Sequence, residues 1–220
     1  MNRVLVVAAH SDDEALGCSG TLAKYIDEGF TIDVIFMTNG VSSRDIQSDS
    51  SERVTASSKA MSKLGVSSIS QFDFPDNAMD KLPLLEIVKK IEEVIELRKP
   101  QIVLTHHAGD LNIDHCITHR AVMTACRPTP EHTVKQILTF EVLSSTEWNS
   151  YQVQPFIPNF YVDITNYADK KVEIVECYEE EMREPPHSRS VEHIKILMKH
   201  RGFSVGVEAA EAFMLVRYIK

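Results

Sequence analysis

The chain carries one tryptophan, four cysteines and eight glycines in 220 residues, and each scarcity removes a class of protein. Cys18, Cys116, Cys126 and Cys177 show no CxxC spacing and no short-range pairing, which excludes a zinc ribbon and a disulfide framework. They read as buried thiols of a reducing compartment. Basic residues are also short, 23 Lys and Arg against 32 Asp and Glu for a net charge of -9, and they form no cluster. A phosphate backbone calls for clustered cations, so nucleic acid is excluded as a generic partner. An anionic small molecule would need a local basic spot, for which Arg44, Arg53, Arg183, Arg189 and Arg201 are the candidates. No apolar run approaches the roughly 18 residues of a membrane span, and the chain opens on a strand-like run rather than a signal peptide, so a cytoplasmic protein without a transmembrane segment is expected. Internal repeats and low-complexity segments are missing too. What is present, 43% hydrophobic and 25% charged residues, suits a single domain over residues 1–220 with a sizeable core and small-molecule partners. A homo-oligomer is compatible with this composition.

Residues 3–9, RVLVVAA, are too short for an ordinary helix and lack the alternation of a half-exposed strand, so they read as a buried parallel strand. The run ends directly in His10, Asp12, Asp13 and Glu14, at the strand end where open α/β sheets bind ligands. Helical spacing over 18–28 with Gly29 as C-cap, then a β-rich run over 31–37, make a βαβ unit that starts a doubly wound sheet. The polar stretch 40–51 is long for a connection and reads either as a flap beside the site or as a plain surface loop. A helix follows over 52–64, with Arg53 in its first turn against the helix dipole, then a strand over 68–74, an amphipathic helix over 84–97 and a short strand over 101–104. The next stretch, 105–122, holds four of the nine histidines, at 106, 107, 115 and 119, and turns helical at Asp114. Strands are expected over 135–142 and at an edge over 160–164, and helices over 170–181, 191–200 and 208–219.

Ser11 to Glu14 fits a capping box, with Ser11 as cap and Glu14 reaching back. A capping box explains neither His10 nor two adjacent aspartates, whose like charges cost stability unless a cation is near. His10, one of the two aspartates and His115 form a two-histidine, one-carboxylate set from two strand ends, with the open position that a catalytic zinc site needs. The same donors suit iron(II). The remaining aspartate is placed to take a proton from metal-bound water.

AAHSDDE resembles the AHPDDE signature of the PIG-L/LmbE-like metal-dependent N-deacetylases, and NIDH resembles their second metal motif, HPDH. ERVTASSKAMSKLG is similar to the arginine-bearing helix of that family, FPDNAM to its following turn and EAAEAFMLVRYI to its C-terminal element, so the likeness covers most of the chain. The resemblance implies a Rossmann-like three-layer α/β fold, a mainly parallel sheet with helices on both faces, in a single LmbE-like deacetylase domain. It implies Zn2+, with Fe2+ as the other candidate, held by His10, Asp13 and His115, and Asp12 as general base. Arg53 and Asp76 match substrate-side positions, and the implied reaction frees acetate and an amine from an N-acetylglucosamine-type or related amide substrate. Two positions depart from the pattern. Ser11 replaces a proline, and Asn112 stands where a histidine is common; its amide can donate to an oxyanion but cannot deliver a proton. The leaving amine then draws its proton from Asp12, His106, His107 or Asp110. Asp114 is either a helix N-terminal aspartate or a second contact to the ligand histidine, and His187 is a candidate for sugar hydroxyls. Two other readings compete: a magnesium-dependent phosphotransfer or receiver-type module, and a noncatalytic sugar-binding domain.

Overall fold

In the computed structural model of the chain, residues 2–38, 50–150 and 152–220 are described, the helix residues 50–54 by their backbone alone. The stretch 40–49 and the side chains of Arg44 and Arg53, on which sequence expectations rested, lie outside the described residues. The first strand, β1 (Arg3–Ala8), is buried from Val4 onward because both of its faces are covered. Val4, Val6 and Ala8 point into one apolar core and Leu5 and Val7 into another. This two-sided burial is why the run shows no alternation.

Helix α1 (Asp13–Asp27) returns the chain to β2 (Thr31–Thr38), which pairs parallel with β1. Gly29, at φ +84°, lets the Phe30 and Gly29 amides donate to the Tyr25 and Ile26 carbonyls and close the helix C-terminus. Helix α2 (Ser50–Leu64) and β3 (Ser68–Phe74) complete the first half of the sheet; α3 (Leu84–Arg98), β4 (Ile102–His106), α4 (Ile113–Ala125) and β5 (Gln136–Phe140) build the second. Helices α5 (Ala168–Val175) and α6 (Val191–Phe203) lie with α1 and α2 on one face, and α3 and α4 lie on the other.

The seven strands run β3-β2-β1-β4-β5-β7-β6, where β6 is Phe160–Asp163 and β7 is Ala210–Tyr218. Order reverses between β1 and β4, which are adjacent and parallel, and that switch point is where an open α/β sheet forms its crevice. Among the described residues no helix is long and apolar enough to cross a membrane.

Three sequence expectations are corrected. Residues 208–219, expected as a helix, contain β7, which pairs antiparallel with β5 on one side and β6 on the other. The helix-favouring Glu-Ala-Ala-Glu-Ala run is overridden because the strand fills the gap between β5 and β6 and buries Phe213. Residues 170–181 divide into α5 and a 3-10 segment, Glu176–Glu181, broken by non-helical backbone at Tyr178. Cys116 is only half-buried, whereas Cys18, Cys126 and Cys177 are buried as expected, and all four are free thiols.

A buried ion pair fastens α5 to β7 and α1: Lys171 Nζ donates to Glu211 Oε1 at 2.5 Å and to the Leu16 carbonyl at 2.6 Å. Glu211 also accepts from the Gly20 and Thr21 amides. Removing one partner strands the other charge in the interior. Lys171→Met is expected to cost about 3–5 kcal/mol of unfolding free energy in urea denaturation; a loss below about 1 kcal/mol would mean that the pair behaves like a surface contact.

Candidate functional site

The crevice at the switch point collects side chains from the loops after β1, β3 and β4. The loop after β1 carries His10, Asp12 and Asp13 into it. The expected capping box is not formed: α1 begins at Asp13, and Asp12 holds the cap position at φ 129°, ψ −25° without a side-chain cap bond. Glu14 Oε2 accepts the Asp12 amide at 3.1 Å, and Asp13 Oδ2 accepts the His10 amide at 2.7 Å. A non-glycine residue at this φ costs on the order of 1–3 kcal/mol, strain that persists only where the surroundings enforce it. Here it turns the Asp12 carboxylate toward the cavity while Asp13 points beneath it.

The loop after β4 brings His115, at the start of α4, opposite His10. His10 Nδ1 lies 3.2 Å from His115 Nε2 and 3.4 Å from Asp13 Oδ2, and His115 Nε2 lies 3.3 Å from Asp13 Oδ1. Ligand atoms held about 2.1 Å from one ion in a tetrahedral array stand about 3.4 Å apart, so these three side chains have the spacing of a closed triangle of ligands. The far nitrogen of each ring is engaged. His10 Nε2 faces Asp76 Oδ1 at 3.0 Å and Asp114 Oδ2 at 3.2 Å, and His115 Nδ1 faces Asp110 Oδ1 at 3.1 Å. With those nitrogens as donors, the lone pairs of His10 Nδ1 and His115 Nε2 turn toward each other and toward Asp13.

Charge supports the same reading. Burial lowers the affinity of His115 for a proton, yet Asp13 and Asp110 outweigh it and push the ring up to about 9. Burial also opposes charge on His10, and Asp114, Asp13 and Asp76 still pull it well above its ordinary value. Two imidazolium N–H groups facing one another at 3.2 Å would repel, so the carboxylates demand positive charge where two protons fit badly. A divalent ion satisfies that demand with one particle, and Asp13 Oδ1, buried without a hydrogen-bond donor, is free to bind it. The donor set therefore fits zinc or iron(II).

Around the triangle the remaining residues support or line it. His106, fully buried, accepts the Ala9 amide at 2.8 Å and stacks on His115 at 3.9 Å between ring centroids; burial and then His115 lower it to about 4, so it is neutral. Asp114 accepts the Asn77 amide at 2.6 Å and the Met79 amide at 3.1 Å, binding the turn after β3 to α4. Asp110 is held by the Ser145 and Thr146 hydroxyls and the Asn112 amide. Asn112 caps α4: its Oδ1 accepts the Asp114 amide at 2.8 Å, and its Nδ2 donates to Asn77 Oδ1 at 3.1 Å. The cavity has a volume of about 280 Å³, and His10, Asp12, Asp76, Asn112, His187 and Arg189 are among its walls. His106, His107 and Asp110 are not: His107 Nε2 bonds the Gln154 carbonyl, and the other two are occupied as above.

Arg189 donates from Nη1 to Asp12 Oδ2 at 2.6 Å and from Nε to Ser144 Oγ at 2.7 Å, with Glu181 at 3.6 Å. Burial raises Asp12 to about 6 although Arg189 opposes the shift. In the sequence Arg189 is only one of five scattered candidate cations. Its partner lies 177 positions away, and no local signal identifies the pair.

Comparison with known proteins follows the same residues. Residues 5–126 match the family model described as PIG-L: GlcNAc-PI de-N-acetylase. An Escherichia coli protein described as the uncharacterized deacetylase YaiS is 32% identical over 70% of this chain and 80% of its own. The diacetylchitobiose deacetylase of Thermococcus kodakarensis is 26% identical over 98% of this chain and 84% of its own. The crystal structure of a conserved protein from Thermus thermophilus superposes with a TM-score of 0.81 at 26% identity, covering 100% of this chain and 97% of that one.

The Asp110 contact sets the orientation of the His115 ring. Asp110→Asn, which keeps an acceptor but removes the charge, is expected to weaken zinc binding about 10–100-fold in a chelator competition assay. Unchanged affinity would show that His115 needs no such support.

Proposed function

The chain belongs to the PIG-L: GlcNAc-PI de-N-acetylase family, and from that membership we propose that it is a zinc-dependent hydrolase that removes an N-acetyl group from an amino-sugar-containing small molecule. The observation that carries the reading is the ligand triangle of His10, Asp13 and His115 with a separate carboxylate, Asp12, beside it on the cavity wall. A metal in that triangle supplies two things when bound: a water acidic enough to attack near neutral pH, and a Lewis acid for the amide carbonyl.

The chain's own residues supply the rest. Asp12 accepts the proton of the attacking water through a carboxylate that Arg189 and its strained backbone hold in place. The Asn112 amide nitrogen carries two hydrogens and the Asn77 contact uses one, so the second is free for the oxyanion that develops on the substrate carbonyl. His106, His107 and Asp110 do not line the cavity, so the proton for the departing amine returns from Asp12, whose acid and base roles alternate within one turnover. His187 accepts the Arg189 amide on Nδ1 at 3.0 Å, which leaves Nε2–H as a donor for sugar hydroxyls at the mouth, and Asp76 accepts from the opposite side. Arg53 is proposed as a further substrate contact on the strength of the motif alone.

A magnesium-dependent phosphotransfer module makes no use of paired imidazoles, which stand here in mutual contact, and magnesium takes oxygen ligands. The imidazole pair therefore supports the hydrolase reading over that alternative.

A mass-spectrometric screen of N-acetylated sugars for loss of acetyl, with and without chelator, tests the activity. Asp12→Ala is expected to keep its metal and lose on the order of 10² to 10⁴ in kcat. Turnover near the unaltered rate in a metal-loaded Asp12→Ala preparation would refute the assignment of the base.

A further inference from the structure

The 3-10 segment Glu176–Glu181 interrupts the helix expected over 170–181, and its break falls at Tyr178, whose backbone turns to φ −101°, ψ 51°. Tyr178 is buried, and its hydroxyl donates to Glu14 Oε1 at 2.6 Å across 164 positions of sequence. The other oxygen of the same carboxyl, Glu14 Oε2, accepts the amide of Asp12 at 3.1 Å. One side chain, Glu14, therefore stands between a distant tyrosine and the strained residue that faces the reaction cavity.

We propose that Tyr178 is a positioning residue for the deacetylation step, fixing through Glu14 the positive-φ backbone of Asp12 that aims the base into the cavity. The inference rests on the reading of Asp12 as the general base, and adds to it a residue that lines no part of the reaction cavity.

Three observations carry it. First, Asp12 stands at φ 129°, a conformation that a non-glycine residue keeps only where its surroundings enforce it. Glu14 can enforce it, because its buried carboxyl is held by donors on both oxygens and cannot swing away without leaving a polar atom unpaired. Second, neither Glu14 nor Tyr178 is among the walls of the reaction cavity, whereas Asp12 is. Tyr178 lines another cavity of about 280 Å³ with Ser11, Ala56 and Cys177. Ser11 and Asp12, neighbours in the chain, thus face different cavities, and an effect of the tyrosine hydroxyl on turnover must pass through Glu14. Third, the same short segment reaches Asp12 from its other side. Glu181 Oε2 lies 3.6 Å from Arg189 Nη1, the nitrogen that donates to Asp12 Oδ2 at 2.6 Å. Backbone and carboxylate of the base are both tied to residues 178–181.

Tyr178→Phe keeps the ring and removes only the hydroxyl, so it isolates the contact. In the metal-loaded protein, with N-acetylglucosamine as the probe, it is expected to lower kcat about tenfold with KM within about twofold and metal content unchanged, because the base is misaligned while binding is not. Glu14→Leu is expected to lose at least as much. Glu14→Gln, whose oxygen can accept the Asp12 amide and whose nitrogen can donate to the Tyr178 oxygen, is expected to recover most of it. In an Asp12→Asn background, which has no base left to position, Tyr178→Phe is expected to change kcat less than about twofold. Hydrogen exchange followed by NMR gives a readout apart from turnover: the Asp12 amide is expected to exchange at least about tenfold faster in Tyr178→Phe while the amides of β1 keep their protection. An unchanged kcat, a tenfold loss that persists in Asp12→Asn, or exchange that speeds equally in β1 would overturn the assignment, the last because it marks a general loosening. If Asp12→Asn turns over at the unaltered rate, or no N-acetylated sugar loses acetyl, the reading of the base or of the activity fails. The exchange result then decides by itself whether Tyr178 fixes the Asp12 backbone.

Discussion

Two imidazole nitrogens 3.2 Å apart, enclosed by buried carboxylates, set the terms for the centre of this molecule. Asp13, Asp76, Asp110 and Asp114 are each at most 5% exposed, and together they require positive charge. Protonating both rings meets that requirement only by placing like charges in contact, which a low-dielectric interior penalises. His10, Asp13 and His115 offer ligand atoms close enough together to hold one cation, whose charge would answer that requirement. Each carboxylate that does not face the triangle fixes the tautomer of a ring that does. The outer set thus matters as much as the ligands.

The sheet delivers these groups to one place. β1 and β4 are parallel neighbours at the point where strand order reverses, so their C-terminal loops diverge and leave a crevice between them. Secondary contacts then tie the loops together. Asp114 joins α4 to the turn after β3 through two backbone amides, and Asp110 joins the β4 loop to Ser145 and Thr146. Through that second link the segment that bears Trp148 shares an anchor with the ring of His115. The cavity wall near Trp148 and the ring of His115 are therefore joined through one hydrogen-bonded set centred on Asp110.

Placement of strain and charge at Asp12 follows the same economy. Its positive φ separates two adjacent aspartates that would otherwise project from one helix start, sending Asp13 to the ligand triangle and Asp12 to the cavity. Arg189, held by Ser144 and by the Leu143 carbonyl, neutralises the exposed side of that pair. The neighbouring Glu14 is pushed up to about 8 by burial, against the Tyr178 hydroxyl that donates to it, so it stays neutral and adds no further negative charge at neutral pH.

Much of this is written in the chain itself. The unalternating run before His10 identifies a strand covered on both faces, and the burial of Val4 to Ala8 bears that out because apolar density is a local property. The β1–α1–β2 unit, the helix stop at Gly29 and the amphipathic helix α3 are equally local, set by periodicity and cap residues. Local sequence failed where a partner decides the outcome. Residues 210–218 prefer helix by composition and form a strand because β5 and β6 leave an open slot between them. Ser11 has the chemistry of a cap, but the loop gives that position to Asp12, since His10 and Asp13 must reach the crevice together. The sequence by itself determined the fold class and the residue types that gather as the His10, Asp13 and His115 cluster, because motifs and hydrophobic period are encoded over a few positions. The pairing of Arg189 with Asp12, the tautomers enforced by Asp110 and Asp114, and the contact of Tyr178 with Glu14 were decided only by tertiary structure. They join segments distant along the chain, and no short-range pattern encodes which distant groups will meet.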